Sequence, residues 1–465
     1  STDPWASGVN ITEAISYLSG IDKDTAHTAA GIAASVTTIT NNGTPSTAKT
    51  ITLTTGTNTG DAFTGGAGAD TFNADLSATG TNTLNALDQI DGGSATDTLN
   101  AVLAANVTPK SIKNVERIVA TGSGAARTLN LVNSSSETYV ENNSTTDGIL
   151  TVSNIAAGAD LGVKSTALGT TFSYTTTSGT QSVNLSVDGV TGGTSTKVEV
   201  DGIETIAVTL DGADSAWELY ADAATALTFA GSAASTVTYD GVLAVSHFDA
   251  SSTTGGFTTT LLNNSELAAT TDVTVTGGSG NDAITTTAHT QSDLNLVGGA
   301  GNDTFTNTAY ALADTIDGGT GTDTLNTTTA VANTLDASTS SNITNTEIIS
   351  LSTAFDGTLA MASIASSLNE VTLALSNSST AALFTGSDDT ITGPAGSLTV
   401  NLGASAAGSD TAASGGLTIG DTGTATDDSL TINNKMVNST TGANVNVTAA
   451  QSFTSSGYEN ITYDS

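Results

Sequence analysis

Residues 65–72, Gly65-Gly66-Ala67-Gly68-Ala69-Asp70-Thr71-Phe72, follow the nonapeptide pattern G-G-x-G-x-D-x-U-x, in which a glycine turn ending in aspartate runs into a very short strand with one large apolar residue. The pattern returns in full at Gly277-Gly278-Ser279-Gly280-Asn281-Asp282-Ala283-Ile284, Gly298-Gly299-Ala300-Gly301-Asn302-Asp303-Thr304-Phe305 and Gly318-Gly319-Thr320-Gly321-Thr322-Asp323-Thr324-Leu325. Gly92-Gly93-Ser94-Ala95-Thr96-Asp97-Thr98-Leu99 departs only at Ala95, where the third glycine belongs. Glycine admits positive φ and turns main-chain carbonyls inward, and the aspartate adds a charged oxygen. Stacked copies therefore predict an all-oxygen cage suited to a hard cation such as calcium. Agreement on both the aspartate and the apolar residue two places later separates these loops from ordinary Gly/Asp turns.

Register carries the argument outward. Counting by nines from Asp61 gives Asp70, Thr79, Asp88 and Asp97, and the residues two places on are Phe63, Phe72, Thr81, Ile90 and Leu99. A parallel β-roll with a half-turn every nine residues predicts Asp70 and Asp88 on one edge, and Asp61, Thr79 and Asp97 on the other. In the second cluster Asp282, Asp303 and Asp323 are 21 and 20 residues apart. That spacing predicts full loops along one edge, with degenerate half-turns around Asp293 and Asp314 opposite. The candidate metal residues are thus Asp61, Gly65, Gly66, Gly68, Asp70, Asp88, Gly92 and Asp97, then Gly277, Gly278, Gly280, Asp282, Gly298, Gly299, Gly301 and Asp303, and finally Asp314, Gly318, Gly319, Gly321 and Asp323.

Composition points the same way. Only 12% of the 465 residues are charged and 4% are aromatic, so large side chains for a thick core are few, whereas thin stacked layers need fewer. The 45 acids against 9 bases give a formal net charge of −36, which is self-repelling without counterions. Each bound divalent ion cancels two charges, so the acidic loops are expected to order with metal. A chain this acidic, with no basic patch, is not expected to bind nucleic acid or anionic lipid. The absence of cysteine excludes disulfides and thiolate chemistry. No apolar run spans a membrane and no signal-peptide pattern opens the sequence, so targeting information is expected outside it.

In chain order, residues 1–50 predict a short helical remnant and linker: Asn10 with Glu13 starts a helix, Ile11, Ala14, Ile15 and Leu18 share a face, and Asn41-Asn42-Gly43-Thr44-Pro45 links onward. The first calcium block follows at 51–105, solenoid or sandwich-like layers at 106–270, the second block at 271–335 and further β layers at 336–465. Four corners recur: Asn114-Val115-Glu116-Arg117-Ile118, Gly202-Ile203-Glu204-Thr205-Ile206, Asn345-Thr346-Glu347-Ile348-Ile349 and Gly457-Tyr458-Glu459-Asn460-Ile461. Their glutamates are read as caps on backbone amides rather than metal ligands, because no glycines expose carbonyls there. Asp-Gly at Asp188, Asp201, Asp211 and Asp240 marks turns, and Trp217 and Tyr220 are read as core or corner anchors. Asp388-Asp389 and Asp427-Asp428 keep the acid and apolar parts without the glycine frame, leaving weak binding and decayed turns both open.

An enzyme is not expected. The bases Lys110, Lys113, Arg117, Arg127, Lys164, Lys197 and Lys435 are sparse, His27, His247 and His289 lie far apart, and there is no H-E-x-x-H pattern. The recognisable carboxylates belong to the repeat instead.

The nonapeptide repeats make the chain resemble the RTX family of secreted Gram-negative proteins. More narrowly, calcium loops set in Thr/Ala/Ser/Asn-rich, cysteine-free layers with glutamate corners look like RTX-containing surface-layer (S-layer) proteins. The resemblance implies an all-β, elongated parallel β-roll or β-solenoid, type I secretion, folding outside the cell and calcium-dependent self-assembly into a two-dimensional lattice on the cell surface. It implies anchoring to lipopolysaccharide through a helical domain at the N-terminus or beyond this chain. It places calcium at Asp70, Asp97, Asp282, Asp303 and Asp323, with Asn281 and Asn302 as supporting ligands, while Thr79 and Ala95 depart from the pattern. The alternative is a segment of an RTX adhesin that binds a glycan or host surface.

Overall fold

The computed structural model describes residues 47–144, 148–165, 168–175, 179–240, 245–261, 272–286, 293–310, 313–336, 342–353, 355–373, 389–394, 396–402, 416–421, 428–434 and 452–464. The helix and linker expected over residues 1–50 fall almost wholly outside them, as do His27, His289, Lys435, Asp388 and Asp427. The chain divides into two compact units, residues 1–143 with 147–159, and residues 144–146 with 160–465. Each is a parallel β-solenoid.

In the first unit, strands Thr50–Thr52, Thr71–Ala74, Thr98–Leu103, Arg117–Gly122 and Tyr139–Asn142 stack in parallel. Their register places Ile51, Phe72, Leu99, Ile118 and Val140 in one column. The last four are fully buried. A second face stacks Thr64–Gly66, Gln89–Gly93 and Ser111–Lys113, with Ile90 over Ile112. A third pairs Arg127–Asn130 with Leu150–Ile155. Alternating short strands of this kind bury one side chain in two, and each large apolar group removed from water contributes roughly 1.5–3 kcal/mol.

The second unit is built on two long ladders. One runs from Asp160–Lys164 through Ser182–Asp188, Thr205–Leu210, Ala226–Gly231, His247–Thr253, Val273–Thr276, Leu294–Ala300 and Thr315–Thr320 to Ile343–Thr344. Val183, Ile206, Leu227, Phe248, Val275, Leu296, Ile316 and Ile343 form its inner column. The facing ladder includes Ser215–Tyr220, Ser235–Tyr239, Phe257–Leu261, Ala283–Thr286, Thr304–Asn307, Thr324–Thr327 and Ile348–Leu351. Trp217 heads its inner column, 1% exposed, with the indole N–H donating to Ser235 Oγ at 3.3 Å. It is a core anchor, one of the two roles expected of this large aromatic side chain. Tyr220 lies on the outer side of the same strand, with the Lys197 ammonium 3.8 Å from its ring centre. A third, shorter ladder joins Thr358–Ala360, Asp389–Gly393, Gly416–Asp421 and Ser452–Ser456.

The strand pairs are parallel, so the Asp-Gly pairs at Asp188, Asp201 and Asp211 turn corners rather than hairpins. Gly189, Gly202 and Gly212 there take φ of 65°, 70° and 87°. Among the described residues no helix is long and apolar enough to cross a membrane.

Candidate metal-binding loops

The loop aspartates form two one-way ladders. In the first unit Asp70 Oδ1 accepts the N–H of Lys49 (2.5 Å), Asp97 Oδ1 that of Asp70 (2.6 Å), and Glu116 Oε2 that of Asp97 (2.9 Å). In the second, Asp282 Oδ1 accepts from Phe257, Asp303 Oδ1 from Asp282 and Asp323 Oδ1 from Asp303, each at 2.7 Å, and Glu347 Oε2 closes the series on Asp323 N–H at 2.8 Å. Each carboxylate thus caps the amide of the preceding rung. The corner glutamates perform the same task at the end of each stack, as the sequence reading expected. Glu204 and Glu459 likewise accept from Gln181 and Asp428.

One oxygen of each pair is left over. The Oδ2 atoms of Asp70, Asp97, Asp303 and Asp323 are buried and no hydrogen bond reaches them, although their residues are at most 1% exposed. Asp282 differs, since its Oδ2 accepts the Gly278 N–H at 2.6 Å. The leftover oxygens point at the first glycine of their own loops. A Cβ on Gly318 would stand 2.6 Å from Asp323 Oδ2 and collide with the carbonyl oxygen of Asn345. Gly65, Gly92 and Gly298 are pressed in the same way by Asp70, Asp97 and Asp303 and by the carbonyl oxygens of Gly92, Asn114 and Gly318. In each loop a carboxylate oxygen and a main-chain carbonyl of the next rung therefore converge over a bare glycine Cα.

Electrostatics agrees with the geometry. Burial, followed by the charges of Asp282 and Asp323, pushes the Asp303 carboxyl up to about 6 against the pull of the Asp282 amide. Burial also raises Asp97, Asp282 and Asp323. A buried acceptor with no donor is costly, and either a proton or a cation relieves it. Lys49 shows what a cation finds at the start of the first ladder: its ammonium donates to the Gly65 carbonyl oxygen at 2.5 Å and to that of Thr64 at 3.4 Å. Among the described residues no three His, Cys, Asp or Glu side chains gather as a metal-holding group. A cation held here would need main-chain carbonyls, which the glycines expose.

The edges differ from the nine-residue expectation. Asp70 stacks on Asp97, 27 residues away, not on Asp88. In the first unit one rung spans three nonapeptides across three faces, so a phase of nine sends successive aspartates to different legs. Asp88 meets Asn58 instead, with Oδ1 accepting Asn58 N–H at 2.8 Å and Oδ2 accepting from Asn58 Nδ2 and the Asn85 amide. Neither oxygen of Asp88 is spare. Asp61 begins a single 3₁₀ turn, Asp61–Phe63, and Thr79 sits in an exposed turn with Ser77 and Thr81. The second cluster follows its expectation, with rungs of 21 and 20 residues along one edge. Asp314 caps Leu294 on the other ladder at 2.9 Å. Asn281 and Asn302 build a parallel amide ladder, accepting from Asn302 N–H and Thr322 N–H at 2.8 and 2.9 Å.

Two pairs were not picked out from the sequence. Asp91 and Asp317, immediately before the Gly-Gly of their loops, accept the N–H of Gly93 and Gly319 and the side-chain amides of Asn114 and Asn345. Asn114 and Asn345 take φ of 49° and stand where the next rung would carry a glycine. The repeated Ile-Asp-Gly-Gly and Asn-x-Glu strings were the available signal.

The fold and these loops define a parallel β-solenoid with buried acidic ladders. No family model matches the sequence, and no curated protein matches it.

Proposed function

We propose that this chain is a structural, non-catalytic protein of the cell surface that uses calcium to fix its loops and assembles with copies of itself into a two-dimensional S-layer lattice. The observation that carries the reading is the set of donorless, buried Oδ2 atoms on Asp70, Asp97, Asp303 and Asp323, each beside a carbonyl oxygen of the next rung. Hard oxygen donors of this kind suit calcium. Those aspartates would hold it, with the carbonyls of Gly92, Asn114, Gly318 and Asn345, and Asp282 joining the second series. The ion supplies positive charge that the chain, at −36, lacks. Extracellular calcium modules bind at ~10⁻⁴–10⁻³ M, so the calcium-rich exterior of a cell is the compartment that suits these loops. The resemblance to S-layer proteins places lipopolysaccharide anchoring at the N-terminus of this chain, in the region of residues 1–50, or in a domain outside it.

The test is electron microscopy of purified protein with and without calcium. Ordered sheets that appear on adding calcium and dissolve on chelation support the reading. Particles that stay dispersed in calcium while binding a glycan overturn the lattice role in favour of an adhesin. Within the loops, Asp303→Ala should cost more calcium and more thermal stability than Asp389→Ala, because Asp303 lies between two further ladder carboxylates; equal losses would reject that ranking.

A further inference from the structure

Away from the metal-binding loops, the first unit carries an apolar groove. The turn over residues 80–86 and the segment 104–108 enclose an open space of about 620 Å³. Buried Leu84 and Val107 line it, together with Ala86, Ala104 and Ala105. Asn82 ties the two sides together: its Oδ1 accepts the N–H of Ala104 at 2.7 Å and that of Ala105 at 3.1 Å, and its Nδ2 donates to the Ala105 carbonyl oxygen at 3.0 Å. The groove is therefore preformed. Leu87 follows directly on this lining and is 62% exposed, the most of any large hydrophobic side chain among the described residues.

Two lysines stand at the same corner. Gln89 pairs with Ser111, and the Ser111 N–H donates to the Asp88 carbonyl oxygen at 3.1 Å, which sets Lys110 across from Asp88 and next to Leu87. The following turn adds Val132, 52% exposed: the Ile112 N–H donates to the Asn133 carbonyl oxygen at 3.2 Å, and Asn133 Nδ2 donates to that of Pro109 at 3.0 Å. Leu87, Lys110 and Val132 thus follow one another over three turns, with exposed Lys113 at the far end of its short strand. Among the described residues the ion pairs are Arg117–Glu141, Lys164–Asp188 and His247–Asp249, so neither lysine has an acid of its own. The acids beside them in register are engaged elsewhere, Asp88 with Asn58 and Asn85, and Asp91 with Gly93 and Asn114. The second unit has the opposite character. Six of the nine bases lie in the first unit, whereas residues 198–434 contain no lysine or arginine and carry more than half of the 45 acids.

We propose that the groove, with Leu87 and Lys110 on its rim, is a docking surface for a second copy of this chain, which presents the acidic face of its own second unit within residues 198–434. Exposed apolar side chains clustered beside unpaired cations mark a surface that meets a partner of opposite charge. The outer columns of the second unit are small, as where Thr260, Thr285 and Thr306 stack in register, so they can approach a shallow groove closely. Joining two different surfaces makes a heterologous contact, which extends into rings or open arrays. The contact rests on the lattice reading and supplies one of its joints.

Cross-linking of the full chain provides the test. Unlabelled and ¹⁵N-labelled copies are mixed in calcium and treated with a carbodiimide, which joins a lysine amine to a carboxylate in contact with it. Mass spectrometry should find Lys110 or Lys113 linked to an acid of residues 198–434 on a chain of the other isotope. Links confined to peptides of one label, or none from these lysines, would overturn the docking. In sedimentation velocity Lys110→Glu should weaken self-association about tenfold or more, and Leu87→Ser, which changes no charge, should weaken it as well. Calcium uptake in the same samples should match the parent chain, since neither residue belongs to the loops. If the parent chain forms sheets and both variants form them equally well, the groove is no joint while the lattice stands; if the parent chain stays dispersed in calcium, lattice and joint fall together. Polygalacturonate that retains the parent chain but not Lys110→Glu, with self-association unaltered, would assign the groove to an acidic glycan instead.

Discussion

Position 95 carries an alanine where the other loops carry glycine, and its backbone is left-handed as at two of those glycines: φ is 79° at Ala95 against 119° at Gly301 and 142° at Gly321. A left-handed non-glycine residue costs roughly 1–2 kcal/mol, partly offset by the lower entropy of alanine in the unfolded chain. Ala95→Gly should therefore raise stability by about 0.5–1 kcal/mol in urea denaturation. Gly318→Ala should do the reverse, because its Cβ meets the Asn345 carbonyl and Asp323 Oδ2. A loss of about 1–3 kcal/mol is expected from such overpacking, with weaker calcium binding measured in the same variant. Asp201 supplies a pH signature. Burial, then the charges of Glu199 and Asp222, push its carboxyl up to about 6 despite Lys197. The unfolded chain releases this proton near pH 4. Between about pH 4 and 6 the folded state therefore binds more protons, and stability falls as pH rises through that window. Asp201→Asn should flatten that part of the melting-temperature profile, and an unaltered slope would refute the assignment.

At the level of the element, the aspartate ladder with its glutamate stop is the repeating device. Glu347→Ala strands the buried-side N–H of Asp323 and should cost about 1–3 kcal/mol, whereas Glu347→Gln keeps an acceptor and should cost less than half as much. Thermal melts of the two variants measure the difference. The ladder was largely legible beforehand: Asp282, Asp303 and Asp323 announce a rung of about twenty residues, and the corner glutamates were read as amide caps. The first block was not legible to the same depth. Periodicity put Asp70 and Asp97 in the same phase but on opposite edges, whereas the two stack in one ladder. It carried no information on how many legs one rung contains, because a nine-residue phase is compatible with two faces or three. Asp88 shows the limit most clearly. It obeys the count of nines, yet Asn58 and the Asn85 amide consume both its oxygens, and a partner such as Asn58 belongs to no motif.

For the whole molecule, the decisive quantity is charge. With 45 acids and 9 bases, removing divalent ions should lower the melting temperature sharply, and added sodium chloride should restore only part of it, because screening reaches exposed charges more than buried oxygens. Complete restoration by monovalent salt would argue against specific sites. The apolar columns explain why so few large side chains suffice: Val183 to Ile343 covers eight successive rungs with one side chain each. The one-way capping also gives each acidic block a polarity of closure. Since every rung borrows its acceptor from the rung after it, a block that zips shut from Glu347 back toward Phe257 finds a waiting acceptor at each step, while one closing in the opposite sense leaves its newest amide bare. Pulse-labelled hydrogen exchange should accordingly protect the Asp323 amide before that of Asp282, and simultaneous or inverted protection would show that the block closes without a preferred starting end.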